Sequence, residues 1–366
     1  MNSGGLLPFS LTRISIVLGT RPEIIKLSPI IRLAKRKNVD VIFSGQHYDY
    51  DLGLRFIEEL GLQKPDFKMK LSKTNPAKQV GEIIQELSGI LLETKPDTVI
   101  VQGDTNTVLA GAVASLKCNI PVSHIEAGLR SFDWRMPEEH NRIATDHLSE
   151  LLFAPTNASR KNLLDEKVHG KIFVVGNTSI DAINQNLKIA EKYHTINVEY
   201  DYVLLTLHRA ENVDNKKTLI GIMKAVIDSG EKFVFPIHPR TLKRLKEFDI
   251  YKNVASAKNI RMINAVGYFD MIGLMKKCKF IVSDSGGIQE EATSPKIRKK
   301  VLVVRRTTDR PEAVDAGVSE LVGTNQKSIQ KSILKTAFNP KIPNKTTPYG
   351  DGNTAKKIMK IINDSY

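Results

Sequence analysis

The chain of 366 residues contains two cysteines, Cys118 and Cys278, far apart and in apolar surroundings. That scarcity argues against a disulfide framework and against a thiolate metal cage. Aromatics make up 6% of the chain, and no basic run interleaves with them to make a stacking platform for bases. No apolar stretch approaches the roughly 18 residues that a membrane-spanning helix needs. The opening MNSGGLLPFS lacks a basic region followed by a long apolar run, so no secretory signal is read and a cytoplasmic protein is expected. Neither GxxxxGK(S/T) nor a post-strand GxGxxG occurs, which disfavours an ATPase and a conventional NAD enzyme. HExxH is missing too, as are a fixed-period repeat and any low-complexity segment.

Positive charge is in excess: 54 Lys and Arg stand against 40 Asp and Glu, a formal net charge of +14. Such a field suits nucleic acid only if it is clustered. Here Lys35-Arg36-Lys37, Lys276-Lys277 and Arg298-Lys299-Lys300 fall at predicted helix ends or between elements, where cations serve the helix dipole and solvent. No nucleic-acid partner is expected; the field would equally attract a small phosphate-bearing substrate.

Length and a 41% hydrophobic content suit two domains, each with its own core. Short Val/Ile-rich runs alternate with helical patterns, the signature of parallel sheets buried on both faces. Strands are expected at Ile14 to Leu18, Val39 to Phe43, Thr98 to Val101, Ile120 to His124, Leu151 to Ala154 and Ile172 to Val175. A second set is expected at Tyr202 to Leu207, Phe233 to Ile237, Ile260 to Asn264, Phe280 to Val282 and Val301 to Val304. The fold class is therefore α/β, two doubly wound Rossmann-like domains facing a central cleft, divided at 176/177. An amphipathic helix within 350–366 is expected to pack back on the first domain.

Open α/β sheets bind ligands beyond the carboxyl ends of their strands. Those positions hold Gly19-Thr20-Arg21-Pro22-Glu23, Gln46-His47, Gly103-Asp104-Thr105, Glu126-Ala127-Gly128, His208-Arg209, His238-Pro239-Arg240 and Ser283-Asp284-Ser285-Gly286-Gly287. The paired glycines Gly286 and Gly287 let backbone amides approach an anion, although a plain turn capped by Ser285 reads equally well. Glu291 could accept bonds from ribose hydroxyls. Arg21, Lys26, Arg142 and Arg310 are candidate diphosphate ligands. Asp104 and Glu126, leaving adjacent buried strands, are expected to repel each other and so to hold protons near neutrality. Glu138 and Glu139 open a helix; dipole complementation suits Glu139. His140 and His147 share a helix face, but satisfied histidines fit better than metal ligands. His208 and His238 follow consecutive strands and could donate to phosphate or move protons.

Together, GTRPEIIKLSP from Gly19, QGDTNTVLAG from Gln102, HIEAGLRS from His124, MPEEHNR from Met136, GNTSIDA from Gly176, LHRAEN from Leu207, DSGGIQEEA from Asp284 and RPEAVDAG from Arg310 resemble the non-hydrolysing UDP-N-acetylglucosamine 2-epimerases. The match runs nearly end to end, through YGDGNTAKKI from Tyr349. The resemblance implies a GT-B-like fold, reversible conversion of UDP-N-acetylglucosamine to UDP-N-acetylmannosamine for glycan precursors, no cofactor, no obligatory metal, and a homodimer. By motif position it gives acid/base roles to Asp104, Glu126 and Glu138 and a diphosphate-side role to His208. It gives nucleotide contacts to Arg21, Lys26, Arg142, Ser285, Gly286, Gly287, Glu291 and Arg310, and a uracil contact to the loop from Val266 to Met271. Some relatives carry a regulatory site built partly from a Gln-His-x-Gln segment. Gln46 and His47 keep its first two residues, Asp49 replaces its second glutamine, and His238 is a further candidate there. Competing readings are a GT-B glycosyltransferase and the hydrolysing epimerase, which releases free N-acetylmannosamine.

Overall fold

The computed structural model describes residues 12–34, 38–46, 50–72, 75–193, 195–342 and 347–366. The basic run 35–37, His47 and Asp49 therefore lie outside the described residues. The chain divides into two compact units, residues 1–182 with 352–366, and residues 183–351.

In unit 1 the strands are β1 (Ile14–Leu18), β2 (Val39–Phe43), β3 (Phe67–Lys68), β4 (Thr98–Gln102), β5 (Val122–Ile125), β6 (Leu151–Ala154) and β7 (Lys171–Val174). They form one sheet in the order β3-β2-β1-β4-β5-β6-β7. Every pair is parallel, with Ile14 of β1 opposite both Val39 and Thr98. Unit 2 repeats the winding with β8 (Val203–Thr206), β9 (Phe233–Pro236), β10 (Ile260–Ile263), β11 (Ile281–Ser283), β12 (Val301–Val303) and β13 (Ser319–Leu321). Their order is β10-β9-β8-β11-β12-β13, again all parallel.

The central strands are buried on both faces because helices cover both, which is why they read as unbroken apolar runs. In unit 2 the core gathers Val203, Leu205, Phe233, Phe235, Phe280 and Val282 with Leu219, Ile222 and Ile333 from flanking helices. Each sheet reverses its winding once, between β1 and β4 and between β8 and β11. Those are the switch points beyond which a doubly wound sheet opens a crevice. Both are where the chemistry-bearing motifs lie.

The two strands not expected from the sequence, β3 and β13, are edge strands of two and three residues. They are too short for a period to show. Among the described residues no helix is long and apolar enough to cross a membrane.

Candidate active site

At the unit 1 switch point, the helix Arg21–Leu33 follows β1 with Pro22 in its first turn. Glu23 turns back onto this helix start and accepts from the Gly19 N–H at 2.5 Å and the Thr20 N–H at 3.0 Å. Its other oxygen accepts from the hydroxyl of Thr105, which caps the helix Asn106–Lys117. Burial raises the Glu23 pKa to about 7, against the opposing hydrogen bonds from Thr105, Gly19 and Thr20 and with some help from Asp104.

Glu126 follows β5 at φ 70, a left-handed conformation that turns the chain sharply. Its buried carboxylate receives Lys26 Nζ at 2.7 Å on both oxygens, the Gln102 side-chain amide, and Asn177 Nδ2 at 3.2 Å. Asp104 follows β4 and pairs with the Arg142 guanidinium. Arg142 also holds Glu139 at 2.8 Å. Burial works against ionisation of Glu139, but donation from Ser131 and Phe132 and the Arg142 charge bring its pKa below the ordinary value. The neighbouring carboxylates thus face cations and amide donors rather than chiefly each other. Glu23, which the sequence did not single out, is an acid that burial holds near neutrality. Dipole complementation is likewise too weak a description of Glu139, which is buried and ties the 131–132 turn to Arg142.

At the unit 2 switch point, β11 is followed by buried Asp284. Its carboxylate accepts from the backbone N–H groups of His208 and Arg209 at 3.0–3.1 Å and from Asn212 Nδ2 at 3.1 Å. This fastens the end of β8 to the end of β11. The His208 Nδ1 lies 3.3 Å from Asp284, and its ring centroid lies 5.6 Å from that of His238. Burial lowers the His208 pKa; Asp284 opposes this, while Arg209, His238 and Arg240 reinforce it. His238 accepts from the Arg240 N–H through Nδ1, so its ring proton sits on Nε2. A cavity of about 220 Å³ is lined by His208, His238, Val266, Met271, Ser285 and Ile288 among others.

Beside that cavity, Ser285 Oγ accepts from the Ile288 N–H and caps the short helix Gly286–Glu291. Glu290 is the buried acid of this helix and pairs with Arg310, while Glu291 is half-buried. Arg310 also meets Asp309 at 3.0 Å, and Arg305 meets the same carboxylate at 2.8 Å. Burial opposes ionisation of Asp309, yet Arg310, Arg305 and Arg209 hold its carboxyl well below the usual carboxylate range. Arg209 keeps a buried Nε with no hydrogen-bond partner.

The remaining positions are less engaged. Arg21 is exposed, with its guanidinium 4.4 Å from the Phe56 ring centroid. Glu138 is exposed at the start of the helix Pro137–Leu148. Gln46 accepts from the Thr107 N–H at 2.8 Å and its hydroxyl at 2.7 Å, so its side chain is used by the start of the following helix. His140 packs on Trp134 and His147 faces Glu166 at 4.0 Å. Among the described residues no three His, Cys, Asp or Glu side chains gather as a metal site.

A family model described as UDP-N-acetylglucosamine 2-epimerase matches residues 31–363. The UDP-N-acetylglucosamine 2-epimerase of Methanocaldococcus jannaschii is 46% identical over 96% of this chain and 98% of its own length. The chain belongs to the UDP-N-acetylglucosamine 2-epimerase family. The solved structure of the M. jannaschii enzyme in complex with UDP-GlcNAc and UDP superposes with a TM-score of 0.82 at 45% identity, covering 96% of this chain and 99% of that one. The Neisseria meningitidis enzyme bound to UDP-GlcNAc gives 0.84 at 34% identity, covering 96% and 99%.

For this family member, the sequence reading missed residues whose type is ordinary and whose importance comes only from folding. Glu23, Gln102 and Asn177 sit within quoted motifs, but nothing local says that they converge on Thr105 or Glu126. Asp284 and Glu290 stand beside the selected Ser285 and Glu291. Nothing in the sequence prefers Glu290 to Glu291; the fold buries Ile288, Gln289 and Glu290 as one run.

Proposed function

We propose that this protein interconverts UDP-N-acetylglucosamine and UDP-N-acetylmannosamine by elimination and re-addition of UDP, without releasing free sugar. The observation that carries the reading is the pair Asp104 and Glu126, each held beside its own cation at neighbouring strand ends. A transferase, which never touches the C2 hydrogen, has no need of it.

The hydrogen on C2, beside an acetamide nitrogen, is barely acidic. Cleavage of the C1–oxygen bond develops oxocarbenium character, which acidifies C2. UDP departs with the bonding electron pair, and a carboxylate takes the C2 proton as the C1–C2 double bond of 2-acetamidoglucal forms. Re-addition of UDP at C1 with protonation at the opposite face of C2 completes the exchange. Asp104, Glu126 and Glu138 are the proposed acid/base set. Unit 2 supplies the leaving-group side: His208 is a neutral ring that takes up a proton as the diphosphate arrives, and a terminal nitrogen of Arg209 stands beside Gly286. Val266 and Met271 face the base, with Ser285, Gly286, Gly287, Glu291 and Arg310 around the nucleotide and Arg21, Lys26 and Arg142 completing the cations. The same reading makes the product a glycan precursor and the enzyme a cytoplasmic homodimer.

Proton NMR of the enzyme with UDP-N-acetylglucosamine in heavy water tests this. Deuterium at C2 together with UDP-N-acetylmannosamine is expected. Free N-acetylmannosamine with irreversible UDP accumulation would make it a hydrolysing epimerase, and UDP without C2 label a transferase. Asp104→Asn and Glu126→Gln are each expected to lower kcat by about 10²- to 10⁴-fold with UDP affinity kept, while Arg21→Ala weakens UDP binding.

A further inference from the structure

Three residues of the helix Pro137–Leu148 reach the Gly103–Asp104 segment. Arg142 takes the Asp104 carboxylate, and Asn141 Nδ2 donates to the Asp104 carbonyl at 2.9 Å. The third arm is indirect. Asp146 Oδ1 lies 2.7 Å from His124 Nδ1, and His124 Nε2 lies 2.8 Å from the Gly103 carbonyl oxygen. His124 and Asp146 are fully buried.

The groups around this ring decide where its protons sit. A carbonyl oxygen only accepts, so Nε2 must donate to Gly103. On the other side, the second oxygen of Asp146 receives Arg130 at 2.7 Å and the Gly128 N–H at 3.1 Å. Two such donors favour the ionised carboxylate, which again only accepts. Arg130 is itself gripped by Glu166 through Nε at 2.7 Å and through its terminal nitrogen at 2.6 Å. A ring with one bare nitrogen would set a lone pair against one of these oxygens, in a place where water cannot relieve it.

We propose that His124 is a positioning residue that carries protons on both ring nitrogens and, as a buried cation, fixes the Gly103 carbonyl and so the aim of Asp104. Gly103 stands at φ 87, a conformation with no side chain to steady it, and this bond supplies the missing constraint. A cationic donor on its carbonyl also polarises the peptide that leads into Asp104. The catalytic part rests on the epimerase reading above; the proton count does not.

The full-length protein labelled with 15N-histidine, with His124 assigned by through-bond correlation, is expected to show a proton on each ring nitrogen at neutral pH. One bare nitrogen overturns the inference. For His124→Gln, a fall in kcat of about 10²-fold is expected with KM and UDP affinity within about threefold of the parent. A folded variant with unchanged kcat overturns the positioning role. Should the variant fail to fold, the ring-proton measurement on the parent protein still decides. Absence of epimerisation by the parent would sink the functional reading and leave that measurement standing.

Discussion

Glu23 is 2% exposed and reaches back to the N–H groups that open its own helix, yet burial raises its pKa to about 7 from the ordinary glutamate value. In the unfolded chain it loses its proton near the ordinary value, whereas in the folded chain it keeps the proton until about pH 7. Between those values the native state binds more protons, so stability falls as pH rises through the window. The full effect is about 3 kcal/mol. Glu23→Gln removes the titration, so urea unfolding of the variant is expected to change less between pH 5 and pH 8 than that of the parent. The single tryptophan, Trp134, belongs to unit 1 and reports on it. Equal pH slopes in the two proteins would mean that Glu23 is not the titrating group. The sequence shows Thr20-Arg21-Pro22-Glu23 as a helix start. It does not show the burial, because the covering hydroxyl of Thr105 comes from a distant strand end.

At the scale of elements, most strands were legible because a strand buried on both faces must be apolar throughout. The helix Arg21–Leu33 shows a compensation that no period reveals. Pro29 lies inside it and has no N–H to give the Ile25 carbonyl. The Ser28 hydroxyl donates to that carbonyl instead, at 2.8 Å. Ser28→Ala is expected to cost about 1 kcal/mol in the parent and less when Pro29 is replaced by Ala, which restores an N–H. A double-mutant cycle by chemical denaturation measures this coupling. Strict additivity would show that Ser28 matters for packing alone. The same logic explains why the candidate site was only partly legible. Asp104, Glu126 and His208 announce themselves at strand ends, whereas Asn177, Glu139 and Asp284 acquire their roles from partners brought in by other elements.

Across the whole molecule, the chain leaves unit 1, builds unit 2 and returns to unit 1 as the helix Thr354–Ser365. This helix packs against Arg21–Leu33 and buries Ala355, Ile358 and Ile362. Its first turn is capped by buried Asp181, which accepts from the Thr354 N–H at 3.2 Å and the Ala355 N–H at 2.9 Å. Burial raises the Asp181 pKa even so, so removing those donors would leave a carboxylate poorly placed to ionise. A chain ending at Asp351 loses the burial of two isoleucines, about 3–6 kcal/mol, all of it from unit 1. For a unit of this size that lowers Tm by on the order of 10 °C. Unit 2 keeps every strand and every residue around its cavity. Calorimetry of the truncated chain is therefore expected to show two transitions, the lower one from unit 1. A single transition shifted as a whole would mean that the two units do not unfold separately.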